Sequence, residues 1–260
     1  MANTTALTPV QKLKRSLSAE SVQEQFKNAL QENAGIFTAS LIDIYNNDTY
    51  LQKCDPNKVI MEALKAATLK LPINKNLGFA YIVPYGGEPT FTIGYKGLLQ
   101  LAMRTGQYKF VNADVVYEGE LQSIDKLTGE IDLNGEPASS KEIGYFAYIE
   151  TINGFKKGIY WTHERVLAHA KRYSKSYNSS RSAWKTNFNE MAIKTVLRLL
   201  LSHYGIMSVE MISAFTADDV DERTVDAKVE DEINENANQD FIDIDLEIKE
   251  ENPTNEGPGF

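Results

Sequence analysis

Residues 91–106, FTIGYKGLLQLAMRTG, change period in mid-stretch. Phe91-Thr92-Ile93 is β-branched and aromatic, as a strand requires, and from about Gly94 to Thr105 the apolar residues recur at helical spacing. Gly106 is a natural helix stop, because it takes the left-handed conformation that closes a C-terminus without a Cβ penalty. A strand that passes directly into a helix, with further strands on both sides, sets the fold class. The chain reads as α+β, with a small, mostly antiparallel sheet packed with helices, an N-terminal helical segment and a disordered acidic C-terminal tail.

Strand-like runs occupy Leu77 to Tyr160, separated by turn residues at Gly86-Gly87, Leu127-Thr128-Gly129, Asn134-Gly135 and Asn153-Gly154. The first 70 residues read helical. Pro9 opens a short amphipathic turn, Ser18 is a candidate cap for a helix near 19–32, and Ile36, Phe37, Leu41, Ile44 and Tyr45 keep an apolar rhythm. Asp55-Pro56 starts another helix, whose face is Val59, Ile60, Ala63, Leu64 and Ala67 and which ends before Pro72. Beyond the strands, Thr162 caps a segment through Ala170, a polar loop covers 173–182, and a long helix runs from about Ala183 to Tyr204 before Gly205. Its apolar face is Trp184, Phe188, Ala192, Val196 and Leu199, with Lys194 and Arg198 four apart on another face that can meet phosphate. The expected divisions are a helical segment over 1–70, an α+β core over 71–216 and the tail over 217–260.

With 42% hydrophobic and 24% charged residues, the chain can bury one ordinary core. The apolar stretch Val196 to Leu201 is interrupted by Arg198, far short of the ~20 residues of a membrane span. The N-terminus lacks the apolar core of a signal peptide. The single cysteine, Cys54, can form no internal disulfide, which fits a reducing cytoplasm. The net charge of −9 is unevenly spread: residues 217–260 hold 16 acidic and 3 basic side chains, so residues 1–216 carry a net +4. Between Lys156 and Arg198 ten basic residues face only Glu164 and Glu190.

Catalytic signatures are largely absent from the sequence. Gly94-Tyr95-Lys96-Gly97 lacks the Gly-Lys-Ser/Thr ending of a nucleotide-binding loop. It reads equally as a helix N-terminus that meets phosphate, helped by Lys96, or as a tight turn with a solvated lysine. His163 and His169 are six apart, about 600° around a helix, and so fall on different faces, which disfavours zinc. Glu247-Ile248-Lys249 resembles part of a nuclease pattern but falls in the tail. Asp114, Glu118 and Glu120 share a strand side with no second cluster to complete a metal site. No catalytic residue, metal or cofactor is expected.

The positive signal lies between Phe155 and Arg198, where cations interleave with aromatics. Single-strand binders need both, for counterion release and for base stacking worth about 1–3 kcal/mol per base. Trp184 and Phe188 read as core, whereas Tyr173 and Tyr177 lie in a polar stretch with Lys175 and Arg181.

Residues 71–85 (LPINKNLGFAYIVPY), 91–106 and Val116-Tyr117-Glu118-Gly119-Glu120 resemble the central signature of the RecT family, and Trp184 with Met191 to Arg198 resembles its later helical signature. The resemblance covers about residues 55–205. It implies an ATP-independent phage or prophage protein that binds single-stranded DNA and holds the annealed duplex intermediate in a positive groove. It also implies a homo-oligomer, ring or helical filament, in the bacterial cytoplasm, acting beside a 5′-to-3′ exonuclease. Expected DNA-binding residues are Lys75, Lys96 and Arg104 from the central signature, and Lys171, Arg172, Tyr173, Lys175, Tyr177, Arg181, Lys185, Lys194 and Arg198 from the basic region. The tail, with its alternating Phe241 to Ile248, is a candidate to compete for the groove or to bind a host single-strand-binding protein. A metal-dependent nuclease and a non-annealing replication adaptor remain as rivals.

Overall fold

Thr8 and Pro9 begin the first helix with a capping box: the Thr8 hydroxyl accepts the Gln11 amide, and the Gln11 side chain accepts the Thr8 amide. The computed structural model describes residues 7–174, 176–180 and 182–218. Four helices come first: α1 (Pro9–Leu17), α2 (Glu20–Leu30), α3 (Ala34–Asn47) and α4 (Pro56–Thr68). Ser18 does not cap α2. It ends α1, its hydroxyl donating to the Arg15 carbonyl, and Ala19 takes the cap position without a side-chain bond. Asp55 does cap α4, accepting the amides of Asn57 and Lys58, and Val59, Ile60, Ala63, Ala66 and Ala67 are buried.

After α4 come β1 (Ala80–Tyr85) and β2 (Glu88–Ile93), an antiparallel hairpin turned by Gly86 and Gly87, both at positive φ. Its register puts Ala80, Ile82, Phe91 and Ile93 on one buried face and Tyr81, Val83, Thr90 and Thr92 on the other. Helix α5 (Tyr95–Arg104) follows directly and ends before Gly106, as the sequence predicts.

The remaining strands form a second sheet of β3 (Tyr108–Tyr117), β6 (Glu142–Thr151) and β7 (Lys156–Thr162), antiparallel in the order β3-β6-β7. A small hairpin, β4 (Ser123–Ile124) with β5 (Ile131–Asp132), interrupts the connection from β3 to β6. The fold class is the expected α+β. The strands are divided into three antiparallel groups, and α5 stands between the first hairpin and β3 in the chain.

Three helices follow β7: α6 (His163–Tyr173), capped by Thr162, then α7 (Ala183–Thr186) and α8 (Phe188–Tyr204). The single helix expected over 183–204 breaks at Asn187, whose φ of −142° and ψ of 55° are not helical. Helix α8 crosses the interior and is buried nearly all round, through Ala192, Ile193, Val196, Leu197, Leu200 and Leu201. It packs on β6 and β7 and against α5. The last described helix, α9 (Val209–Asp218), buries Met211, Ala214 and Phe215 and includes Ala217 and Asp218, which composition assigned to the tail. The rest of the expected tail, with Phe241 to Ile248, lies outside the described residues. Leu13, Leu41 and Tyr45 of the N-terminal helices belong to the same core as Val196 and Leu200 of α8. No described helix is long and apolar enough to cross a membrane.

Candidate nucleic-acid interface

The outward face of the β1–β2 hairpin is one wall of a groove of about 1270 Å³. Tyr81, Val83 and Tyr85 alternate along this wall with the inward-facing Ala80 and Ile82, and Thr90 and Thr92 stand beside them. The opposite wall is Ser176, Ser179 and Ser182 of the loop after α6, then α7 and the start of α8. Tyr50, Lys53 and Lys75, and Tyr95 and Lys96 of α5, also line the groove. Its volume exceeds that of ordinary small-molecule pockets, about 300–1,000 Å³.

Lys75 lies 2.8 Å from the Asp48 carboxylate and is half exposed. Burial pushes the Asp48 carboxyl up, but the Lys75 ammonium and the amides of Tyr50 and Leu51 outweigh it and hold it below the ordinary carboxylate range. The Lys53 ammonium sits 4.9 Å from the Tyr50 ring and that of Lys96 5.9 Å from the Tyr95 ring, so two lysines that line the groove each lie beside a tyrosine. Glu88, at the rim, is held by Lys58 at 2.7 Å.

The Gly94 to Gly97 turn is shaped by backbone approach. A Cβ at Gly94 would strike the Gly78 carbonyl, and one at Gly97 the Phe79 carbonyl. The Gly94 amide itself donates to Phe79 at 2.9 Å. Two glycines thus let the 78–79 backbone cross the start of α5, and Lys96 reaches the groove from its first turn.

The expected DNA-binding residues separate into distinct settings. Lys75 and Lys96 are in the groove. Arg104 is on α5 but is committed elsewhere: its guanidinium donates to the carbonyls of Leu69 at 2.7 Å and Lys70 at 2.9 Å, closing the end of α4. Lys171 and Arg172 are exposed on the last turn of α6. Arg172 lies 5.3 Å from the Tyr173 ring, Tyr173 packs on His169 at 4.7 Å, and His169 packs on Trp161 at 5.4 Å. Burial and the Arg165 charge lower the His169 pKa to about 4, and its Nδ1 finds no hydrogen-bond partner among the described residues. Tyr177 packs against the core with the Lys185 ammonium 4.1 Å above its ring. Lys175 and Arg181 lie outside the described residues.

Lys194 and Arg198 require a correction to their setting. Neither presents a solvated face: their side chains are 6% and 8% exposed, and both are paired with Asp218. The reason is that α8 is buried from Ala192 to Arg198, so a cation there is neutralised from a neighbouring element. Trp184 is buried, as expected, and Phe188 is half-buried between Trp184 and His163.

Lys53, Tyr50, Tyr81, Tyr85 and Tyr95 were not among the expected site residues. Tyr81 and Tyr85 had a usable signal, since they share one strand face at even spacing while Ala80 and Ile82 take the other. Tyr50 and Lys53 belong to a short connecting segment, and nothing local marks it as part of a groove.

The carboxylates singled out on and after β3 are engaged in local structure. Asp114 accepts the Val115 amide, Glu118 is bonded to Ser139 and Lys141, and Glu120 accepts the Tyr117 amide. Among the described residues no three His, Cys, Asp or Glu side chains are grouped to share a metal ion.

Residues 35–236 match the model of the RecT family. The chain is 46% identical over 240 residues to the uncharacterized protein YqaK of Bacillus subtilis (strain 168), covering 92% of this chain and 81% of that protein. It is 27% identical over 186 residues to Protein RecT of Escherichia coli (strain K12), covering 68% of each. Since the match extends from α3 past α9 and takes in every residue that lines the groove, the chain belongs to the RecT family, the proteins of DNA recombination and single-strand annealing.

Proposed function

We propose that this protein anneals complementary DNA strands without ATP or any other cofactor, with the groove between the β1–β2 hairpin and the serine-rich loop as its DNA track. The observation that carries the reading is the set of Lys53, Lys75 and Lys96 beside Tyr81, Tyr85 and Tyr95 in one groove. The lysines hold phosphates and release counterions. The tyrosine rings offer stacking that is indifferent to sequence. Lys171 and Arg172, exposed shortly before the serine loop in the chain, supply further phosphate contacts.

The mechanism makes and breaks no covalent bond. One strand is held by its backbone, a second tests pairing against the free base edges, and only a matched strand stays because pairing and stacking then add to the electrostatic hold. Specificity is supplied by the nucleic acid. The protein lowers the repulsion between strands and holds the annealed duplex intermediate. It acts as a homo-oligomer, a ring or helical filament, in a bacterial host cell during phage recombination. Its substrate comes from a partner 5′-to-3′ exonuclease, and the acidic tail contacts a host single-strand-binding protein.

The test is annealing of two complementary fluorescent oligonucleotides in ATP-free buffer across a salt series. Acceleration that fades as salt rises, with both strands intact, is expected. Binding without acceleration would mark a replication adaptor, and magnesium-dependent shortening a nuclease.

A further inference from the structure

Three donors converge on one carboxylate at the groove. Asp218 Oδ2 lies 2.8 Å from Lys194 Nζ and 3.2 Å from Arg198 Nη1, and Asp218 Oδ1 accepts the Ile93 amide at 3.0 Å. All three side chains are less than a tenth exposed. Lys194 and Asp218 both line the groove. An ammonium, a guanidinium and a main-chain amide are the donors that bind a phosphodiester.

We infer that this cluster is a phosphate subsite of the groove and that Asp218 occupies it as an internal substitute for a DNA phosphate. The inference rests on the reading of the groove as a DNA track. Arg198 Nη1 and the Ile93 amide donate to Asp218, so a phosphate gains these donors only when the carboxylate leaves. Exchange of one anion for another preserves the charge balance of a buried site, where an unpaired cation is costly. The exchange needs only the last turn of α9 to move. Arg198 also donates to the Phe215 carbonyl at 3.1 Å and lies 4.5 Å from the Phe215 ring, so α9 remains anchored one turn earlier. Asp218 is the last residue of α9. The carboxylate thereby sets a threshold: a strand that fills the groove displaces it, and a weakly held anion does not.

The experiment is fluorescence anisotropy of a labelled oligothymidylate over a sodium chloride series, with full-length wild type, Asp218→Asn and Lys194→Met. Asparagine keeps an oxygen for the Ile93 amide and removes the competing charge. Asp218→Asn should bind roughly tenfold tighter at equal salt, the factor expected if the carboxylate closes the subsite about nine-tenths of the time. Lys194→Met removes the ammonium and keeps the Arg198–Asp218 pair. It should bind more weakly, with a log-log salt slope shallower by ~0.7, the loss of one phosphate contact to a single strand. A folded Asp218→Asn with wild-type or weaker affinity overturns the inference, as does Lys194→Met with the wild-type slope; if Asp218→Asn does not fold, Lys194→Met alone decides. A wild type that fails to bind the oligonucleotide defeats the DNA-track reading itself, whereas a wild type that binds, with variants that behave identically to it, defeats only the exchange at Asp218.

Discussion

Lys194 on α8 and Asp218 at the end of α9 meet at 2.8 Å with side chains 6% and 3% exposed, and through this contact α9 is fastened to the helix that crosses the core. Asp218→Ala would leave the buried Lys194 ammonium without its counter-ion, and such a loss destabilises a fold by about 3–5 kcal/mol. Lys194→Met, which keeps the Arg198–Asp218 pair, should cost clearly less. Urea midpoints of the two variants against wild type measure the difference, and equal midpoints would mean that the cluster is not holding α9.

The groove lysines and Arg104 should respond differently to removal. Lys53→Ala, Lys75→Ala and Lys96→Ala are each expected to weaken single-strand binding and to flatten the salt slope by about 0.7. Arg104→Ala should keep the slope and lose about 1–3 kcal/mol of stability, because its guanidinium bonds the carbonyls of Leu69 and Lys70. Binding isotherms at several salt concentrations, paired with thermal melts, separate the two behaviours.

Tyr85 tests the aromatic contribution. Its loss in Tyr85→Ala should weaken binding by about 1–3 kcal/mol with an unchanged salt slope, since stacking releases no counterions. Trp184→Ala should instead unfold the protein more easily, by about 3–5 kcal/mol, because the indole is 3% exposed in the core. A Tyr85→Ala protein with wild-type affinity would remove the hairpin face from the DNA track.

His169 gives a pH signature. Its pKa is lowered from 6.5 to about 4 by burial and by Arg165. Between these values the unfolded chain binds more protons than the native one, so stability is lost as pH falls from about 6.5 towards 4 and regained as it rises. His169→Phe keeps an aromatic ring between Trp161 and Tyr173 and abandons a nitrogen that has no partner among the described residues. Its melting temperature should fall less than that of wild type between pH 7 and pH 5. Parallel decreases in the two proteins would show that other groups carry the acid sensitivity.

Elements with local signals were legible in the sequence. Asp55-Pro56 set the start of α4, Gly94 and Gly106 bounded α5, and Gly86-Gly87 turned the first hairpin. The break at Asn187 was hidden because the apolar spacing continues through Trp184 and Phe188 on both sides of it. Lys194 and Arg198, four apart, read as a face open to phosphate because their partner Asp218 is a residue on a later helix that composition merged with the acidic tail. Pairing over that separation leaves no local signature. Arg104 sits within the family-like stretch that supplied Lys75 and Lys96, yet it closes α4, since a motif marks a position without saying which atoms its side chain will meet. Lys75 and Lys96 of that stretch line the groove, as do Tyr81 and Tyr85, which lie on a strand whose alternation points them outward.

The central claim, that the groove beside the β1–β2 hairpin is the annealing track, is tested most directly by the annealing rate of two complementary oligonucleotides without ATP, for wild type and for the combined Lys53→Ala, Lys75→Ala, Lys96→Ala variant with an unaltered melting temperature. The account predicts rapid annealing by wild type and a rate near that of the free strands for the variant; a folded variant that anneals as fast as wild type would contradict it.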